Sequence, residues 1–383
     1  RARMADPTID TGVRRGAAAA GKLRGVEAGR GIAALLVACV HCTLMLGGPA
    51  YAGRLPLFGL FRFGHAGVDF FFVLSGFIIY YIHQGEIGQQ RFLPAYLYKR
   101  FARIYPTYWI VLLFFSLVLL YSPTKDSLED DLKNMVSSVL LLPSLRGPVL
   151  GPAWTLRHEL LFYGLFALLF FSRHLGRVAL AAWAAGIALN IGWIWVSGDA
   201  LFGGIAGDLV FRIFNIEFFF GMAVARLVLD HRWWRPGTML VAGVALFLAD
   251  GLFESYGPAL PIEFPPRHLI YALGAAMTLY GLVGTETAGT LRVPLPLIRL
   301  GGASYSLYLI HVIVVLFYQQ FLLRVKRFVP LQPEIVFFVG LGLCVVIAVA
   351  FSERIEQPLL RRLRRAAVIP RPQSIVRAAG DAL

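Results

Sequence analysis

The stretch GRGIAALLVACVHCTLML, residues 29–46, is apolar over roughly one membrane thickness except at Arg30 and His41. Ionisable side chains are costly in such a run and therefore mark function. The two lie eleven positions apart. That is about three helical turns, so they share nearly one helix face at a separation of roughly 16 Å along the axis. The spacing predicts a cation at the membrane surface and a titratable base near mid-bilayer.

Composition extends this reading to the whole chain. Of 383 residues, 58% are hydrophobic and 15% charged, with a mean hydropathy of +0.68. A soluble core cannot hide that much apolar surface. The expectation is an all-α, polytopic membrane protein with about ten transmembrane helices, near 31–50, 65–83, 101–121, 152–171, 177–197, 208–229, 238–254, 268–285, 297–322 and 333–354. The seventh and eighth are the weakest, being short and crowded by Asp250, Glu254 and Glu263.

Basic residues collect on alternate connections: Arg14, Arg15, Lys22 and Arg24; Arg91, Lys99, Arg100 and Arg103; Arg173 and Arg177; Arg226, Arg232 and Arg235; and Arg361, Arg362, Arg364 and Arg365. This distribution places both termini in the cytoplasm, against only Arg324, Lys326 and Arg327 on the opposite side. The chain divides into a disordered basic cytoplasmic arm (1–20), a transmembrane domain (21–358) and a basic cytoplasmic tail (359–383). A net charge of +14 beside membrane spans points to anionic lipid headgroups and not to nucleic acid. Cys39, Cys42 and Cys344 are odd in number and lie in apolar runs, so neither a disulfide framework nor a metal site is expected.

Depth follows from the helical rise of about 1.5 Å per residue. Arg30 stays at the inner surface and His41 reaches about 15 Å, close to the bilayer centre. Arg100 and Arg103 share one face of the third span near Arg30, making a guanidinium cradle suited to phosphate. Glu159 is expected about 10 Å below the outer surface, with Asp69 also in the outer half. Either carboxylate needs a partner there, such as Arg157 or a histidine, or must become protonated. His311 is deep, while His65, His83, His158, His174, His231 and His268 fall near span ends. Ser304 and Ser306 adjoin Gly301, Gly302 and Ala303, where helices can approach closely. There is no Gly-x-Ser-x-Gly elbow, no Walker loop and no metal-ligand pair.

Five motifs in order resemble the acyltransferase 3 membrane proteins, and within them the exopolysaccharide-type O-acetyltransferases: Arg30 with His41, GVDFFFVLSGF (67–77), RFARIYP (100–106), WTLRHELLFY (154–163) and GGASYSLYLIH (301–311). The resemblance runs from about residue 22 to 358. It implies a ten-helix bundle in a bacterial inner membrane that takes an acetyl group from cytoplasmic acetyl-CoA, with no metal. The acceptor would be a carbohydrate hydroxyl on an exopolysaccharide, an O-antigen or a lipid-linked sugar. By that resemblance Arg30 and His41 match the family's essential pair, Arg100 and Arg103 its arginine pair and Glu159 the glutamate of the fourth-span motif; His41 and Glu159 are the catalytic candidates, and Arg30, Arg100 and Arg103 the donor-binding ones. Asp69, Ser304, Ser306 and His311 are structural or acceptor-side polar groups. Some members carry a further hydrolase-like domain; here a basic tail follows Pro358, so polysaccharide-assembly proteins join membrane lipids as expected partners. The competing reading is a transporter or flippase of a glycolipid or polysaccharide precursor, with Asp69, Glu159 and His41 lining a polar path. Use of a succinyl or longer donor is a third. The 122–151 loop and the 250–267 turn are the candidate seats of acceptor selectivity.

Overall fold

The long apolar runs form helices because within a bilayer a helix satisfies every backbone polar group internally. The computed structural model describes residues 23–48, 53–120, 128–144, 147–258, 265–326, 328 and 332–366. These are helical throughout their regular structure, with no strand among the described residues. The 1–20 arm, Arg14, Arg15, Lys22, Asp126, Glu263, Arg327 and the 367–383 part of the tail lie outside them.

In chain order the α-helices are α1 Arg24–Leu46, α2 Gly67–His83, α3 Leu93–Leu120, α4 Leu128–Leu140, α5 Trp154–Phe171, α6 Arg173–Ser197, α7 Ile216–Leu229, α8 Pro236–Tyr256, α9 Pro265–Thr287, α10 Leu295–Gly302, α11 Ser304–Val325, α12 Pro333–Phe351 and α13 Gln357–Ala366. A 3-10 segment, Pro56–Ala66, leads into α2. Eight helical stretches among the described residues are long and apolar enough to cross a membrane. Two of the expected spans fall short of that measure. α5 carries Arg157, His158 and Glu159 within its 18 residues, and α7 has only 14. The chain before α7 is broken into a π-turn at Ala206–Val210 and a 3-10 turn at Ile213–Asn215.

Other boundaries move for local reasons. α1 begins at Arg24, so Arg30 lies inside the helix and not at its entry. The expected ninth span divides at Ala303 into α10 and α11. The pair that looked weakest, α8 and α9, is well formed at 21 and 23 residues. Glycine lets the two backbones meet, since a Cβ on Gly243 would lie 2.5 Å from the Thr278 nitrogen. The carboxylate of Glu254, which made the turn look polar, is paired with His65 at 2.6 Å and Arg267 at 3.7 Å.

Close backbone approach recurs where α2 meets α7 and where α10 meets α1. A Cβ on Gly76 of α2 would stand 2.0 Å from the Phe218 carbonyl oxygen, and one on Gly221 of α7 would stand 1.8 Å from that of Val73. Gly301 brings α10 equally close to α1, 2.0 Å from the Glu27 oxygen. Large apolar side chains such as Leu113, Val241, Ile335 and Val346 face outward, whereas Asp69, Glu217, His268, Ser304, Ser306 and His311 are sealed inside. An apolar exterior around a partly polar interior suits lipid as the surrounding solvent. Burial inside the bundle also extends to histidines near the ends of helices. His268 is fully buried, His158 is buried against Asn215 at 2.9 Å, and His83 against Glu86 at 2.6 Å.

Candidate active site

α1 and α11 run alongside each other and bring His41 and His311 together. Their rings meet edge to face with centroids 4.7 Å apart, and His311 Nε2 stands 3.2 Å from His41 Nδ1. The hydrogen-bond partners select the tautomers. His311 Nδ1 is 3.0 Å from the Leu307 carbonyl oxygen, which can only accept, so in the neutral ring Nδ1 carries the proton and Nε2 the lone pair. His41 Nδ1 likewise donates to the Val37 carbonyl oxygen at 2.8 Å and, as a bifurcated donor, faces the bare His311 Nε2. His41 Nε2 is therefore the unprotonated nitrogen. Among the described residues it has no bonding partner, and it is not among the sealed, unbonded atoms of the interior. His41 is half-buried while His311 is fully buried, so the reachable lone pair belongs to His41.

Arg30, three turns back along α1, joins Arg103 of α3 in a second cluster, where the two guanidinium groups act electrostatically on each other. Arg103 pairs with the buried Glu356 at 3.1 Å and lies over the Tyr305 ring at 5.0 Å. Glu356 also accepts from Ser306 Oγ at 2.5 Å and from Ser352 Oγ at 3.1 Å. Among the described residues the nearest carboxylate to Arg30 is that of Glu27, at 3.9 Å. Arg100 has aromatic neighbours instead, lying 5.9 Å from the Tyr96 ring centre and 5.6 Å from that of Tyr163, with its Nε unbonded. Arg30, Arg100 and Arg103 thus share one neighbourhood with Glu159 and Tyr163. It is not a bare cationic patch, because Glu27, Glu159 and Glu356 balance the three arginines.

Glu159 lies among the arginines. It accepts from Ser75 Oγ at 3.1 Å and from the Tyr163 hydroxyl, and it acts electrostatically on both Arg30 and Arg103. Among the described residues it makes no hydrogen bond to His41, whose ring partner is His311. Its expected depth is also corrected. Thr155, in the first turn of α5, bonds the Tyr308 hydroxyl at 2.8 Å, and Tyr308 is one helical turn from His311 on α11. The first turn of α5 is therefore about one helical turn from the histidine pair. Glu159 then lies a further turn along α5, toward the arginine end.

The other expected polar residues separate. Ser306 belongs to the arginine end through Glu356, and Ser304 is buried with its hydroxyl unbonded. Asp69 takes a hydrogen bond from His268 at 2.9 Å, far along α2 from Ser75. Glu27, Glu217 and Glu356 were missed, although each is a carboxylate in or bordering an apolar run and the rule that flagged Asp69 applies to them equally. Tyr163, Tyr305 and Tyr308 carry no such signal, since a tyrosine in a membrane helix is ordinary.

The described geometry provides a free imidazole nitrogen at one end, paired arginines and carboxylates at the other, and Thr155 with Tyr308 between them. Residues 23–353 match the acyltransferase 3 family model, described as an acyltransferase domain. The exopolysaccharide production protein ExoZ of Rhizobium meliloti (strain 1021) is 28% identical over 318 residues, covering 79% of this chain and 92% of its own. Acyltransferase MdmB of Streptomyces mycarofaciens is 29% identical over 279 residues, 66% of this chain and 68% of its own. Protein 2 of the picA locus of Rhizobium radiobacter is 30% identical over 161 residues, 36% of this chain and 77% of its own. No solved structure matches the chain.

Proposed function

Because this chain belongs to the acyltransferase 3 family and is a multi-helix membrane O-acyltransferase, we propose that it moves an acetyl group from cytoplasmic acetyl-CoA to a hydroxyl of a cell-surface or exported carbohydrate. The observation that carries the reading is the free Nε2 of His41, about 16 Å along α1 from Arg30. That reach is about half of a hydrocarbon core roughly 30 Å thick. A donor anchored at the arginine end on the cytoplasmic side can thus present its thioester to a base near mid-membrane. Similarity to an exopolysaccharide production protein supports a carbohydrate acceptor, and the bacterial relatives support a cytoplasmic membrane.

In this mechanism His41 Nε2 takes the acceptor hydroxyl proton, and the oxygen attacks the thioester carbonyl. The C–S bond breaks, the ester forms, and the thiolate leaves with the proton returned by the imidazole. Attack by Nε2 itself, giving a transient acetyl-histidine, uses the same atom. His311 holds His41 in the Nδ1–H tautomer either way. At the donor end Arg100 keeps its fork free for phosphate, while Arg103 is held by Glu356 and Arg30 lies beside Glu27. Glu159 orders Tyr163 and, through it, the face on which Arg100 rests.

Purified protein in liposomes, supplied with acetyl-labelled acetyl-CoA and candidate glycans, tests the proposal. The expected result is label on the carbohydrate. Glycan crossing the bilayer with no transfer of label would establish the flippase reading instead.

A further inference from the structure

Among the described residues, three potential metal ligands from three different helices converge away from His41: Asp69 of α2, Glu217 of α7 and His268 of α9, with ligand atoms all within 4.8 Å of one another. Each residue is completely buried, and the Phe214 ring stands 4.4 Å from that of His268, closing one wall with apolar surface. His268 Nδ1 donates to one oxygen of Asp69, Oδ1, at 2.9 Å. Among the described residues Asp69 Oδ2 and both oxygens of Glu217 accept from no donor, and the two carboxyl groups stand close enough to share a proton. The nearby Arg267 does not neutralise the pair, since it is engaged with Glu254 at 3.7 Å.

Two carboxylates sealed in apolar surroundings cannot both remain charged and unpaired. A single shared proton would link one oxygen of each residue and still leave one orphan. A cation among the three side chains meets all the unbonded oxygens at once. We propose that Asp69, Glu217 and His268 bind one divalent metal ion that clamps α2, α7 and α9. An imidazole beside two carboxylates selects a first-row ion such as zinc or manganese over calcium or magnesium, which favour all-oxygen shells. Ligands drawn from facing helices are a recurrent way to build such a site in a bundle. The separate helices also account for its invisibility in the sequence, where no short ligand spacing exists.

The test is metal content and metal-dependent stability of the full chain in detergent, after stripping with chelator and incubation with zinc or manganese salts. The site predicts about one retained equivalent per chain and a melting temperature raised by several degrees by the added metal. It also predicts loss of that equivalent in Glu217→Gln and in His268→Ala. X-ray absorption at the metal edge of the unaltered protein provides a check independent of whether the variants fold, with a nitrogen and oxygen shell expected. No retained metal and no thermal shift would overturn the site, leaving a shared proton between the carboxylates. Full occupancy in both variants, or a sulfur-containing shell from the buried cysteines, would overturn it equally.

Discussion

His41 and His311 differ chiefly in which nitrogen is left over once their carbonyl partners have been served. Both donate from Nδ1, but the His311 lone pair is spent on His41, whereas that of His41 is free. The sequence made His41 conspicuous through an apolar run, yet it held no hint that the partner of His41 is His311, 270 positions away. Glu159 was legible as a polar intruder and misplaced in depth, because counting from the start of a span assumes that the span starts at the membrane surface. The arginines are likewise unequal. Removing Arg103 would strand a buried Glu356, a destabilisation of about 3–5 kcal/mol for a broken buried pair. Among the described residues Arg100 has no such carboxylate partner, so Arg100→Ala is the cleaner probe of donor binding. Loss of a charge-assisted hydrogen bond worth about 1.5–3 kcal/mol should raise the acetyl-CoA concentration for half-maximal rate roughly 10- to 100-fold, measured in initial-rate assays. Unchanged donor dependence would remove Arg100 from the donor site.

Helices were legible from apolar length where their charges were few, as in α1, α11 and α12. α7 departed from the pattern because its apolar run includes residues spent on a π-turn and a 3-10 turn, neither of which alters local hydropathy. α8 and α9 were undervalued because the pairing of Glu254 with His65 and Arg267 depends on tertiary contact. Small residues carry the helix contacts that set the site: Gly76 and Gly221 let α2 meet α7, holding Ser75 against Glu159 on one side of α2 and Asp69 beside Glu217 on another. Gly221→Val should force these backbones apart. The expected cost is about 1–3 kcal/mol or more, read as a lowered melting temperature in detergent, and an unaltered melting temperature would contradict the close approach.

At the scale of the molecule, apolar side chains face outward and polar groups form a column from the arginine end to the histidine pair. Composition made the membrane setting plain, while the column became visible only when α1, α3, α5 and α11 were brought together. The order of that column gives the protein its proposed division of labour, with donor capture separated by about 16 Å from the base that meets the acceptor. The most direct measurement is label transfer from acetyl-CoA to carbohydrate by His41→Ala protein in liposomes, at membrane abundance matched to the unaltered chain. General-base catalysis contributes about 10²- to 10⁴-fold, so the account predicts transfer reduced by at least that factor. Transfer at the unaltered rate in His41→Ala, with loss in His311→Ala instead, would contradict it.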